Sequence, residues 1–208
     1  MTTVPREYKA IEQDEGKRKA GETPWEYYLK RSLEIANLYL SPVILKTDAY
    51  NEAHEIPKLG GIAGNLPGTK IIIEYKAAEV ELAKQKCPDC TVICGDIRNL
   101  PFADNFFDIL IDPSTLDHIH PRDLLKTLDG YKRVLRSGGS LALFVWVTNN
   151  EKYKAEYASW NTWGPDQQYY HPESEMDSLI NSRFKLIERD HFWSVSDIHM
   201  DFYYALKG

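Results

Sequence analysis

The chain has 208 residues, 43% of them hydrophobic, 27% charged and 12% aromatic, which suits one globular domain with a sizeable core and argues against a largely disordered chain. Its 25 Lys and Arg stand against 31 Asp and Glu, a net charge of -6 with no basic block, so duplex nucleic acid is not an expected partner. No apolar run reaches a membrane span, MTTVPREYKAIEQDEGKRKAG has neither signal-peptide nor transit-peptide character, and the clustered Cys87, Cys90 and Cys94 do not resemble a secreted disulfide framework, so a cytoplasmic location without membrane contact is expected.

Residues 1–22 are polar and charged and read as a flexible lead into a single domain, 23–208. Thr23-Pro24-Trp25-Glu26 has the form of a helix start, with a capping Thr, Pro in the first turn and an acid beside it. Trp25, Tyr28, Leu29, Leu33, Ala36 and Leu40 then recur at helical spacing, predicting a cap helix over 23–41. PVILKT is a short apolar strand and KIIIEY a stronger, β-branched one; AHEIPKLGGIAGNLPG between them is a broken crossover whose glycines read as turn residues. AAEVELAKQK is a helix former throughout, CPDC a turn, and TVICGD and FDILID are strands. PRDLLKTLDGYKRVL is an amphipathic helix, SGGSLALFVWV a turn and strand, 172–181 a helix, and FKLIERDHF with HMDFYYALKG a hairpin.

Strand and helix alternate, which implies an α/β fold: a Rossmann-like open sheet, mostly parallel with one antiparallel C-terminal strand and helices on both faces. In such sheets ligands sit at the strand carboxyl ends, so the residues there carry the chemistry. They are Glu74, then Gly95-Asp96-Ile97, then Asp112-Pro113-Ser114-Thr115. GDIRNLPFADNFFDILIDPSTLDHI followed by YKRVLRSGGSLALFVW resembles the class I S-adenosylmethionine-dependent methyltransferases, in the small-molecule branch with the patterns D-x-x-x-L-P-F-x-D-x-x-F-D and R-V-L-x-x-G-G.

That resemblance implies S-adenosylmethionine as cofactor and a small-molecule acceptor, with Glu74 holding the ribose, Asp96 and Ile97 reading adenine, and Asp112 and Ser114 bordering the methionine end. The first motif departs from the family, whose members place an acid and then a glycine-rich loop after the first strand, because the backbone passes close to the cofactor there. Here Lys46-Thr47-Asp48-Ala49-Tyr50-Asn51-Glu52 takes that place, and Asp48, Asn51 and Glu52 are the expected side-chain substitutes around a cationic cofactor. His118 is a candidate general base or a packed residue, and His120 a helix-start residue.

Cys87-Pro88-Asp89-Cys90 could be half a zinc site or a redox pair, but it lacks a second pair, stands away from the strand carboxyl ends and reads as a structural turn. Residues 149–171 form an aromatic insertion, either a lid or a flap packed on the sheet, and Trp160, Trp163 and Tyr170, with Tyr28 of the cap helix, are expected to wall the acceptor. A noncatalytic ligand-binding or partner-regulating protein on the same fold is the competing reading. A nicotinamide-dependent enzyme is disfavoured by the missing pyrophosphate loop.

Overall fold

The computed structural model describes residues 22–150, 169–195 and 197–208. Helix α1 (Pro24–Ala36) begins as its sequence dictates. Thr23 Oγ1 accepts from the Glu26 N–H at 3.3 Å, and a Glu26 carboxylate oxygen accepts from the Thr23 N–H at 2.8 Å. Two otherwise orphaned helix-start donors are thereby satisfied, an arrangement that contributes about 1 kcal/mol.

The helix ends at Ala36, five residues before the expected stop. The Leu38 and Tyr39 N–H groups bond back only three residues, to Ile35 and Ala36, and Tyr39 Oη then reaches Ser140 Oγ at 2.8 Å. This tightened last turn leads the chain away, and Leu40, which continues the helical pattern on paper, is fully exposed.

The strands are β1 (Val43–Thr47), β2 (Thr69–Glu74), β3 (Cys90–Cys94), β4 (Phe107–Pro113), β5 (Leu135–Thr148), β6 (His171–Pro172), β7 (Lys185–Val195) and β8 (Ile198–Leu206). They form one eight-stranded sheet in the order β3-β2-β1-β4-β5-β8-β7, with β6 beside the end of β5. The run β3-β2-β1-β4-β5 is parallel; β8 is antiparallel to both β5 and β7 and lies between them. The hairpin therefore inserts its second strand into the sheet and leaves its first at the edge.

Among the described residues the remaining α-helices are α2 (Tyr50–His54), α3 (Ala77–Lys86), α4 (Pro121–Val134) and α5 (Glu173–Asn181). Alternation along β5 sorts the two layers. Leu141, Leu143 and Val145 pack with Leu124, Leu128, Tyr131 and Met176 of α4 and α5. Ala142, Phe144 and Trp146 pack with Tyr27, Tyr28 and Ile35 of α1. Because both faces are covered, LALFVWV (141–147) is apolar without a break. Ile72 and Val92 carry the second layer onward to Ala53 of α2 and to Val80 and Ala83 of α3.

The parallel strands run in register to a common end, with Thr47 opposite Ile73 and Glu74 opposite Cys94. Strand order reverses between β1 and β4, and that switch point is where a ligand is expected to bind.

Candidate active site

At the switch point the ends of β1 and β4 are joined by side chains. Thr47 Oγ1 and Thr115 Oγ1 lie 2.8 Å apart, and the Thr115 hydroxyl donates to Asp48 Oδ2 at 2.9 Å. Asp48 adopts φ 54, the left-handed conformation for which a glycine is usual and Asp one of the better-tolerated alternatives. Its Oδ1 accepts from the Tyr50 N–H at 2.9 Å, an Asx turn that helps hold this conformation. Its side chain stays 19% exposed.

Lys46 precedes it in β1 and is fully buried. Its ammonium lies 3.0 Å from Glu52 Oε2, 3.0 Å from the Asp48 carbonyl, 3.3 Å from Asp48 Oδ1 and 3.4 Å from the Thr47 carbonyl. Burial pulls its pKa down, and the Asp48 and Glu52 carboxylates outweigh that, so the ammonium titrates above its ordinary value. Glu52 is also fully buried, and its other oxygen accepts from the Ile62 and Ala63 N–H groups at 3.1 and 2.7 Å. Glu52, expected to face the cofactor, has its contacts inside the loop. Asn51 is 1% exposed, and both its amide atoms lack partners among the described residues.

Glu74 closes β2. Its two oxygens accept from the Ala49 N–H at 2.9 Å and the Lys76 N–H at 2.8 Å, which ties the first loop to the second strand end. Each carboxylate oxygen keeps a further lone pair. Burial raises its pKa, opposed by those two backbone donors. Asp96 caps the single turn Ile97–Asn99, accepting from the Arg98 N–H at 2.8 Å and from the Arg98 guanidinium, and these bonds hold its carboxyl below the usual range. Ile97 is buried behind it.

Asp112, near the end of β4, is fully buried. Oδ1 accepts from the Thr115 and Leu116 N–H groups at 2.7 and 3.3 Å, and Oδ2 from Tyr131 Oη at 2.6 Å. Burial pushes its carboxyl up to about 6 against these donors. Ser114, at φ 68, donates through Oγ to Asp117, whose other oxygen accepts from the Trp146 N–H at 2.9 Å. Asp117 is fully buried and titrates well above the ordinary carboxylate range, burial being the main cause.

His118 sits on the one-turn helix Leu116–His118 directly beyond β4, with its side chain exposed. His120 caps α4, its Nδ1 accepting from the Arg122 N–H at 3.2 Å. Tyr28 is fully buried, packed against Phe144 with its hydroxyl on Met200 Sδ, so it is a core residue of the α1 layer. Tyr170 is half-buried with its ring 6.4 Å from that of Trp146. Trp160 and Trp163 lie outside the described residues.

Sequence reading placed Thr115 in the strand-end segment after β4 but gave no role to Lys46, Asp117 or Tyr131. Lys46 had a signal, a single charge following the apolar run Val43-Ile44-Leu45; Asp117 and Tyr131 had none.

Two other clusters do not join the site. Cys87 and Cys90 are bonded to each other between α3 and the beginning of β3, at the opposite end of the sheet from the strand carboxyl termini. Glu173, His191 and Asp201 bring ligand-type atoms within 4.8 Å of one another, but the Arg189 guanidinium supplies the cation there, donating to Glu173 and, at 2.7 Å, to Asp201. Among the described residues no helix is long and apolar enough to cross a membrane.

Residues 59–143 match the family described as "Methyltransferase domain". A protein of Encephalitozoon cuniculi (strain GB-M1) that carries a methyltransferase name is 26% identical over 113 residues, 47% of this chain and 53% of that protein. The chain matches between 16% and 53% of the length of its curated relatives. Among solved structures, the [4+2]-cyclase SpnF superposes with a TM-score of 0.69 at 14% identity, covering 92% of this chain and 86% of that one. Geranyl diphosphate methyltransferase, solved in complex with S-adenosylmethionine, superposes with a TM-score of 0.67 at 11% identity, covering 88% and 85%. These structural likenesses concern the fold. The family match covers residues 59–143, less than half of the chain, and the solved structures share its fold, a Rossmann-like sheet that is mostly parallel.

Proposed function

We propose that this chain transfers a methyl group from S-adenosylmethionine to a small-molecule acceptor in the cleft over the ends of β1, β2 and β4. The observation that supports this most is the convergence of Asp48, Glu74 and Asp112 on adjacent strand ends, knit together through the Ala49 N–H and Thr115. The donor set suits the cofactor. Asp48 presents a part-exposed carboxylate for the α-amino group, Glu74 has lone pairs left for a ribose diol, and Asn51 offers a buried, unpaired amide donor and acceptor.

Bound there, the cofactor supplies a methyl carbon already activated by its sulfonium. The protein's work is alignment and the exclusion of water. Asp96 and Ile97 form the adenine edge of the site in this reading, while Asp112 and Ser114 shape its floor at the methionine end, with Glu52 bracing the loop from within. His118, exposed beyond β4, takes the proton from acceptors that must lose one. Tyr28 supports the acceptor wall from beneath, with the half-buried Tyr170 as part of it.

Isothermal titration with S-adenosylmethionine and with its demethylated product is the test; no heat from either at millimolar concentration overturns the reading. The competing one, a noncatalytic protein on the same fold that binds another ligand or regulates a partner, draws on the glycine-free first loop. It predicts binding of neither nucleoside.

A further inference from the structure

The glycine-free turn raises a physical question that the proposed activity leaves open: what holds it in shape. Glycine loops reach left-handed backbone conformations cheaply, whereas this chain puts Asp48 there at φ 54. We propose that Lys46 is the positioning residue of the cofactor site: its buried ammonium clamps the turn so that the Asp48 carboxylate points at the cofactor's α-amino group. The proposal rests on the cofactor reading above.

The clamp is visible atom by atom. An ammonium has three N–H donors, and four oxygens surround this one within 3.4 Å: the Thr47 and Asp48 carbonyls, Asp48 Oδ1 and Glu52 Oε2. No donor is left over for a ligand, and the side chain is fully buried, so Lys46 acts through its neighbours. Glu52 extends the clamp by taking the Ile62 and Ala63 N–H groups on its second oxygen. One cation thereby ties together the end of β1, the turn, α2 and the segment beyond it. Gly61 makes this closeness possible: at φ 62, a Cβ added to it would lie 2.6 Å from the Asn51 carbonyl group and the Glu52 nitrogen. The glycine that the first loop lacks is here used to seat the following segment against α2.

A buried lysine could equally serve stability alone, so the test separates folding from alignment. Lys46→Met leaves the Glu52 carboxylate buried without its cation and should lower the melting temperature. The double variant Lys46→Met/Glu52→Gln removes both charges and should recover most of that loss. Titrations of wild type and double variant then use S-adenosylhomocysteine, which carries the α-amino acid, and methylthioadenosine, which lacks it.

With the ammonium gone and Asp48 held only by the Tyr50 N–H and the Thr115 hydroxyl, affinity for S-adenosylhomocysteine should fall about ten- to a hundredfold, the effect of misaligning one charge-assisted contact, while methylthioadenosine binds within about twofold of wild type. Lys46→Gln, which retains an amide donor without the charge, is titrated in the same way and should show the same selective loss if the double variant does not fold. Equal losses for the two nucleosides, or no loss for S-adenosylhomocysteine, overturn the positioning role while leaving the cofactor site standing. Failure of the wild-type protein to bind either nucleoside overturns the cofactor reading, and this proposal with it.

Discussion

Replacing Asp112 by Asn should make the protein more stable at neutral pH and leave it nearly unchanged at pH 4. In the wild type this carboxyl is fully buried, and burial raises it to about 6 despite the Tyr131 hydroxyl and the two backbone donors around it. Above that pH the folded state carries a buried charge that the unfolded state carries in water. Since the folded-state pKa lies above the unfolded one, the native protein binds more protons between about pH 4 and pH 6, and Asp112 causes stability to fall as pH rises through that window. The interval is about two pH units at about 1.4 kcal/mol each, roughly 3 kcal/mol in all.

Asn keeps an oxygen for the Thr115 and Leu116 N–H groups and can donate its own N–H to Tyr131 Oη, so the hydrogen bonds survive with one reversed. The difference in stability, Asp112→Asn minus wild type, should therefore grow from near zero at pH 4 to as much as roughly 3 kcal/mol at pH 7.5, or about 6–12 °C in melting temperature for a chain of this size. Taking the difference matters because other groups titrate in the same range. Burial pushes His171 down to about 4, and this group contributes stability that is lost as pH falls from about 6.5 toward 4, opposite in sign to Asp112. Thermal unfolding of both proteins at half-unit steps from pH 4 to pH 8 provides the measurement. A difference that stays flat across that range refutes the argument.

Glu74→Gln removes the charge yet leaves an oxygen for one of the two backbone donors, and it should weaken S-adenosylhomocysteine binding about tenfold or more by titration calorimetry, with a near-native circular dichroism spectrum. His118→Ala should lower turnover of a proton-losing acceptor by about 10²-fold or more while cofactor affinity stays within about twofold; an unchanged turnover number removes His118 from the chemistry. Gly61→Ala forces a Cβ to within 2.6 Å of α2 backbone at a left-handed residue and should cost about 2–4 kcal/mol in urea unfolding, far beyond an ordinary surface substitution.

Much of the fold was legible because its signals are local. TPWE contains the whole capping box, and β5 shows its double burial as an unbroken apolar run. The end of α1 was not, because Leu40 keeps the helical period after Asn37 has already turned the chain. The hairpin of β7 and β8 was legible from its short connection, but not which of its strands would enter the sheet, since either can pair with β5. The strand-end acids could be found by position alone. Their partners could not: nothing in LDHIHP marks Asp117 as the carboxylate that turns inward to the Trp146 N–H while its neighbour His118 stays exposed. Lys46 lies between these cases, since its burial follows from a strand covered on both faces, but its pairing with Glu52 depends on how α2 folds back.

The charges around the switch point lead to one further expectation. Asp48, Glu74 and Asp112 meet there, and the buried ammonium beside them, Lys46, is saturated by Asp48, Glu52 and backbone carbonyls. Asp112 and Asp48 share Thr115, whose N–H goes to one and whose hydroxyl goes to the other, and the Asp48 charge contributes to the raised pKa of Asp112. A cation placed against Asp48 offsets that repulsion and must lower the pKa of Asp112. By linkage, cofactor binding at pH 6 should then release a fraction of a proton, and the same binding at pH 8, where Asp112 is already ionised, should release none. Calorimetric titration in two buffers of different ionisation enthalpy reads that fraction from the difference in apparent heat. In Asp112→Asn the pH 6 release should vanish while binding persists, because the variant has no proton to give at this position. Undiminished release from the variant would assign the proton to another group and break the link between the buried floor of the cleft and its ligand.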